Sequence, residues 1–228
     1  MSPDGGEPLP AESAVTFRAK ALAEFSRGYS PWLHFTVPSL FGIVVAVLSI
    51  SQLSDLRFLE ALVVPALVVA FNGVEWVAHR DFLHVRRPFA TVLYDRHTPV
   101  HHRVFVETDM AIRDVREFGM VLIPAFGIIL IAVVVAPIAA GIAWAGQRNV
   151  ACLFVATSML YAVSYEWLHL AYHAPRDSFV ARLPLMARLR RHHATHHRPR
   201  LMQKHNFNVT LPLFDWLCGT TYRGDKDR

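Results

Sequence analysis

Cysteine and charge are both scarce in this chain, and each scarcity removes a class of explanation. Two cysteines, Cys152 and Cys218, stand far apart in 228 residues, with no Cys-x-x-Cys context around either. That argues against a disulfide framework and against a thiolate-held metal, so any metal must be bound through nitrogen and oxygen. Charged residues are 18% of the chain, hydrophobic ones 53%, and the mean hydropathy is +0.29. A soluble domain carries about 25% charged residues. The deficit here is concentrated, because residues 28–54 and 118–147 contain no Lys, Arg, Asp or Glu. The first residues also lack a basic segment ahead of an apolar stretch, so no cleaved secretory signal is expected.

A helix needs roughly 20 apolar residues to cross a bilayer. The uncharged stretches predict spans at about 34–53, 59–79, 118–137 and 149–173, the third in a run interrupted by Pro124 and Pro137. In the second, Glu60 and Glu75 are the only charges between Arg57 and Arg80. The expected fold is therefore all-α and integral to a membrane, with about four transmembrane helices and a helical cap formed by 80–117 and 174–228. Lys and Arg favour the cytoplasmic side of short loops. With four spans, residues 1–31, 80–117 and 174–228 share one side and hold 21 of the 23 basic residues, leaving only Arg57 and Arg148 opposite. That side is expected to be cytoplasmic and to carry both termini.

Residues 1–31 read as a disordered N-terminal dozen followed by an interfacial helix, in which Val15, Leu22, Phe25 and Tyr29 form a stripe beside Arg18, Lys20 and Arg27. Residues 179–191 similarly mix Leu183, Leu185, Met186 and Leu189 with four arginines. A solvated basic face drawn to anionic lipid explains either segment as readily as a specific role. No nucleic-acid partner is expected.

Against this background stand 13 histidines, 11 of them in four clusters at the ends of apolar segments. They are His79-x4-His84, His97-x3-His101-His102, His169-x3-His173 and His192-His193-x2-His196-His197. Residues four apart share a helix face with Cβ atoms about 6 Å apart, close enough for one metal or two adjacent ones. His97/His101, His169/His173, His192/His196 and His193/His197 have that spacing. His79 and His84, five apart, lie about 140° around an α-helix and so flank a site or span a helix end. One such pair would mean little, but four clusters at one membrane face point to a multinuclear metal site. Buried imidazoles at this density would otherwise leave many polar groups without partners. His34 reads as an interfacial or packing residue, while His192 and His205 are open between ligand, support and bystander. Glu75 and Glu166, carboxylates within apolar segments, are costly there and usually functional. Each could accept an imidazole N–H, from His79 or His169, ligate directly, or serve helix packing. Such a donor set suits iron or zinc.

At these motifs the chain resembles the fatty acid hydroxylase/sterol desaturase superfamily of membrane histidine-box di-metal oxygenases, over about residues 60–222. The segment Asn206-Phe-Asn208-Val-Thr-x4-Asp215-Trp-Leu-x-Gly219-Thr220 is similar to the stretch that closes its members. The resemblance implies a membrane domain over 32–228 and assigns ten metal ligands: His79, His84, His97, His101, His102, His169, His173, His193, His196 and His197. It assigns no separate catalytic residue. Two departures stand out. Three residues separate His97 from His101 where the fatty acid 2-hydroxylase branch has two, and no cytochrome b5 module precedes the membrane region. The resemblance further implies two iron ions, with zinc possible in purified protein, and O2 as co-substrate. An apolar lipid would come from the bilayer, and electrons from a separate cytochrome b5, ferredoxin or reductase. Desaturation, carotenoid hydroxylation and, in a different class, membrane metal transport are the competing activities.

The charge distribution makes its own prediction: reporter fusions at residue 100 and at the C-terminus should both report a cytoplasmic location. Opposite sidedness would overturn the four-span topology.

Overall fold

A computed structural model describes residues 11–224. The expected disordered segment at the extreme N-terminus lies almost wholly outside the described residues. The architecture is helical throughout, and the one β-type pairing among the described residues is an isolated bridge between Val106 and Asp109. Helix α1 covers Ala11–Ala23, α2 Pro31–Ile50, α3 Val63–Ala78, α4 Gly127–Trp144, α5 Arg148–Tyr172 and α6 Pro184–His196. Four helical stretches are long and apolar enough to cross a membrane: Pro31–Ile50, Phe58–Leu83, Gly127–Trp144 and Arg148–Tyr172.

The third of these departs from the expected 118–137. Residues Phe118–Val121 form a separate, buried turn, and α4 begins only at Gly127. Proline explains the break: it restricts the residue before it and offers no N–H, so the chain turns at Pro124 and the helix restarts beyond it. Pro137, by contrast, is carried inside α4.

Helices α2, α4 and α5 meet over a core of Ala46, Ile128, Val135, Ala156, Met159 and Val163. Leu40, Val44, Val47, Leu130, Val133, Val134 and Ile138 remain exposed, as side chains facing lipid do. At one end, Asn149 of α5 bonds both backbone groups of Ser54 and the Glu60 carboxylate. This ties the connection after α2 to the start of α5. At the other end, the last turns of α3 and α5 emerge into the cap.

The cap is held to the membrane helices by buried polar contacts. Asn72 of α3 donates to the Leu211 carbonyl and Thr210 hydroxyl and accepts from the Phe214 N–H. Beside it, a Cβ on Gly73 would sit 2.6 Å from the Phe214 ring, so only glycine lets the short helix Leu213–Leu217 approach so closely. One face of helix α1 packs on the cap: Ala21 and Arg18 are buried, and Phe17, Leu22 and, just past the helix, Phe25 pack on a core of Val104, Phe105, Met110, Met120 and Val121. Of the apolar residues at 179–191, Phe179 and Leu185 are exposed, whereas Leu189 is buried against Tyr172 and Val209.

Overpacking typically costs about 1–3 kcal/mol. Gly73→Val should therefore lower the thermal midpoint, and Phe214→Ala in the same chain should recover part of the loss. Additive losses in the double variant would remove this contact from the account.

Candidate metal centre

The ten histidines assigned above come together as two groups of five. His79, His84, His97, His102 and His196 form the first, and His101, His169, His173, His193 and His197 the second. Within each group the facing nitrogens all lie within 4.8 Å of one another, and every ring is buried. The groups abut: His102 stacks on His197 at 4.2 Å between ring centroids, and His97 on His101 at 5.1 Å. His34 belongs to neither and bonds the Tyr29 hydroxyl and the Ile123 carbonyl.

Local backbone explains this sorting, and it differs from a plain helical reading. His79–Leu83 and His97–His101 are π-helical turns, closed by N–H bonds from His84 to the His79 carbonyl and from His102 to the His97 carbonyl. A π-turn closes over five residues instead of four. The five-residue spacing of His79 and His84 therefore becomes one turn, with stacked rings 5.0 Å apart, where an α-helix would have spread them. The same turn pairs His97 with His102 and sends His101 to the other group, although the spacing of four suggested that His97 and His101 share a face. His169 and His193 lie in the last turns of α5 and α6, with His173 and His197 as the residues that cap those helices, and each pair falls within one group. His192 separates from His196 and bonds the Asp215 carboxylate at 3.0 Å. His205 contributes its carbonyl to His196 and its ring to Tyr222.

Hydrogen bonding fixes what the ring nitrogens can do. A carbonyl can only accept, so an Nδ1 bonded to one must carry the proton, leaving Nε2 as a lone pair. Five rings are set this way: His79 to Phe207, His196 to His205, His101 to Met120, His173 to Met110 and His197 to Phe105. His84 is a sixth. The Thr98 hydroxyl gives its proton to the Leu83 carbonyl at 2.7 Å and so accepts from His84 Nδ1. Yet the Nε2 atoms face one another, His84 to His196 at 3.0 Å, His79 to His97 at 2.9 Å, His101 to His169 at 3.2 Å and His173 to His193 at 3.3 Å. In the His84/His196 contact both Nδ1 atoms already hold the protons, so two lone pairs point at each other. That arrangement repels unless a cation lies between them. Two nitrogens bound to one ion at about 2.1 Å, with angles of 90–109°, stand about 3.0–3.4 Å apart, which is the spacing observed. The residues fit a metal in each group.

One phenylalanine backs each group in two ways. The Phe207 carbonyl accepts from His79 while its ring packs on His79, His84 and His196. The Phe105 carbonyl accepts from His197 while its ring packs on His101 and His173.

The expected roles of the carboxylates need correction. Glu75 does not receive the His79 N–H, because the segment 207–210 lies between them. Phe207 takes that N–H, and Glu75 accepts from the Val209 N–H, the Thr210 N–H and hydroxyl, and the Tyr161 hydroxyl. Glu75 therefore fastens the segment that orients His79. Glu166 accepts from the Ile123 N–H at 3.0 Å and makes no bond to His169. Its other oxygen and His169 Nδ1 are buried without hydrogen-bond partners.

Asp215, missed as a site residue in the sequence, is the hub of the same segment. Fully buried, it accepts from the Phe207 and Asn208 N–H groups, the Thr220 hydroxyl and His192. Despite burial, these bonds hold its carboxyl below the usual range. An aspartate nine residues beyond Asn206, amid apolar neighbours, was the available signal.

Four membrane-crossing helices carrying two histidine clusters at one end define a membrane protein built around a pair of metal-binding positions. The family model described as fatty acid hydroxylase matches residues 64–220. The match covers most of the chain and includes all ten histidines, so the chain belongs to the fatty acid hydroxylase family, whose members are oxygenase-type enzymes. Comparison with curated proteins and with solved structures gives no significant match.

Burial and the neighbouring imidazoles hold the cap histidines well below their ordinary value of 6.5. Burial alone is the main cause for His101, which falls to about 3. These rings are neutral when folded, whereas the unfolded chain would take up protons. The resulting penalty is absent above about pH 6.5, grows as pH falls, and for His101 saturates below about 3. Metal-free protein should accordingly melt at progressively lower temperature from pH 7 to pH 5. A melting point that stays flat or rises would contradict this protonation state.

Proposed function

We propose that the chain is an O2-dependent, non-haem di-iron oxidoreductase that hydroxylates a C–H bond of a membrane lipid, such as a fatty acyl chain or a sterol. The observation that carries this reading is the pair of abutting five-histidine groups whose lone pairs converge at the end of a membrane-crossing bundle. Iron in the two positions supplies oxygen activation and abstraction of hydrogen from an unactivated C–H bond. One oxygen atom enters the product and the other leaves as water, so each turnover needs two electrons from a separate donor protein and two protons.

The protein's own contribution is placement. Neutral imidazoles offer Nε2 because the carbonyls of Phe105, Met110, Met120, His205 and Phe207 hold Nδ1–H. The buried rings of Phe105, Phe207 and Tyr172 line the back of the site and exclude water. The exposed apolar surfaces of the crossing helices let a lipid approach from within the bilayer, without passing through water. In this reading the histidine end faces the cytoplasm, where the excess basic charge lies.

Protein from iron-supplied cells should hold close to two metal ions per chain, and His173→Ala or His197→Ala should lower that number. With ferrous iron, a reductase chain and a lipid substrate, the hydroxyl product should carry label from 18O2. Label from water would defeat the oxygenase reading, and undiminished metal in both variants would remove these histidines from the site. Zinc in part of the preparation would reflect the stronger affinity of such sites for zinc than for ferrous iron.

A further inference from the structure

The two groups draw their orienting carbonyls from different stretches of chain. For the first group both carbonyls, His205 and Phe207, belong to the C-terminal segment fastened by Asp215 and Glu75. For the second group all three, Phe105, Met110 and Met120, belong to the loop 104–120. That loop is held in part from within the matched residues 64–220, by Arg96 on the Gly119 carbonyl, the Ile112 N–H on the His173 carbonyl and Arg198 on Glu107, and in part by α1 and the turn after it, which lie outside them. The Arg18 guanidinium donates to the Val104 carbonyl at 3.3 Å and to the Ala111 carbonyl at 3.3 and 3.4 Å. It also pairs with Glu117 at 3.5 Å and Asp109 at 4.0 Å, and lies over the Phe105 ring. Farther along, the Phe25 ring occupies the space that a Cβ on Gly119 would need, next to Met120. The Phe25 carbonyl in turn accepts from Arg116.

We infer that Arg18 is a positioning residue for the second metal position alone: by gripping the loop 104–120 it aims His101, His173 and His197, while the first position is fastened independently. The inference rests on the two-metal reading above. An arginine is suited to the task because its planar fork reaches two carbonyls and a carboxylate from one rigid group. A surface arginine held to lipid would make none of these contacts, and its loss would leave both positions unchanged.

The test uses the full chain in detergent or lipid discs and cobalt(II), whose visible absorption reports its ligands, with metal counted directly. His84→Ala and His193→Ala supply reference spectra for damage to the first and second positions. Arg18→Ala should weaken one of two cobalt ions by about tenfold, the scale of lost ligand support, with the spectral change of His193→Ala. Removing a buried arginine also strands Glu117. Arg18→Lys, which keeps that charge but cannot span both carbonyls, provides the same readout in a chain less prone to misfold and should show a smaller loss at the same position. Unchanged binding at both positions, equal weakening of both, or a His84→Ala pattern would overturn the assignment. Two cobalt ions in the unaltered chain, with this selectivity but no oxygen label in the lipid, would sink the hydroxylase reading and leave Arg18 in its role. Fewer than two ions in the unaltered chain would defeat both.

Discussion

Six imidazoles give their single N–H to oxygen atoms of the surrounding chain, leaving the second nitrogen of each ring as a lone pair aimed into its own group of histidines, and in the His84/His196 contact at a second lone pair. The rest of the histidine end follows from this. The acceptors are backbone carbonyls in irregular segments, and such segments hold a carbonyl in place only if something else fixes them. Buried carboxylates and amides do so: Asp215 and Glu75 for the C-terminal segment, Asn72 across to α3, and Arg18 with Glu117 for the loop at 104–120. The oriented ligands are thus supported by layers of polar contacts, in a region where an unsatisfied group is expensive. The N–H of Arg113 bonds one oxygen of the fully buried Glu117, and the Arg18 guanidinium stands 3.5 Å from the other.

Much of the fold was legible because it depends on composition. The uncharged runs and their flanking charges marked four crossing helices, and His169/His173 and His193/His197 each stayed together as i,i+4 neighbours do, whereas His192 left His196 for Asp215. What the sequence hid depends on departures from regularity. Nothing in the letters of His79-x4-His84 announces a π-turn, so an ideal helix spread two rings that in fact stack. Pro124 and Pro137 look alike on the page, yet one ends a turn and the other rides inside α4. Arg18 read as lipid-facing charge because its partners, Val104, Ala111 and Glu117, are remote in sequence. Glu75 was recognised as costly where it stands, but its partners at 209 and 210 could be found only once the chain had folded back.

The dual use of Phe105 and Phe207 shows how little chain the centre needs for its walls. A single residue supplies both an oxygen that orients a ligand and a ring that covers others. Replacing the ring leaves the carbonyl chemically intact, but its aim depends on the ring's packing, so side chain and backbone cannot be altered separately there.

The composition of the two groups also has a consequence in time. His84 and His196 face each other across 112 residues of sequence. At about 5–20 residues per second of synthesis, the earlier ring waits roughly 6–22 seconds for the later one. By the end of that interval His79, His84, His97 and His102 exist without His196, and until residue 193 is made His101, His169 and His173 exist without His193 and His197. The nascent chain is therefore a partial chelator before it is a finished protein. Which ion first occupies the site is open to control by the order in which ligands emerge and insert, as well as by affinity at the completed centre.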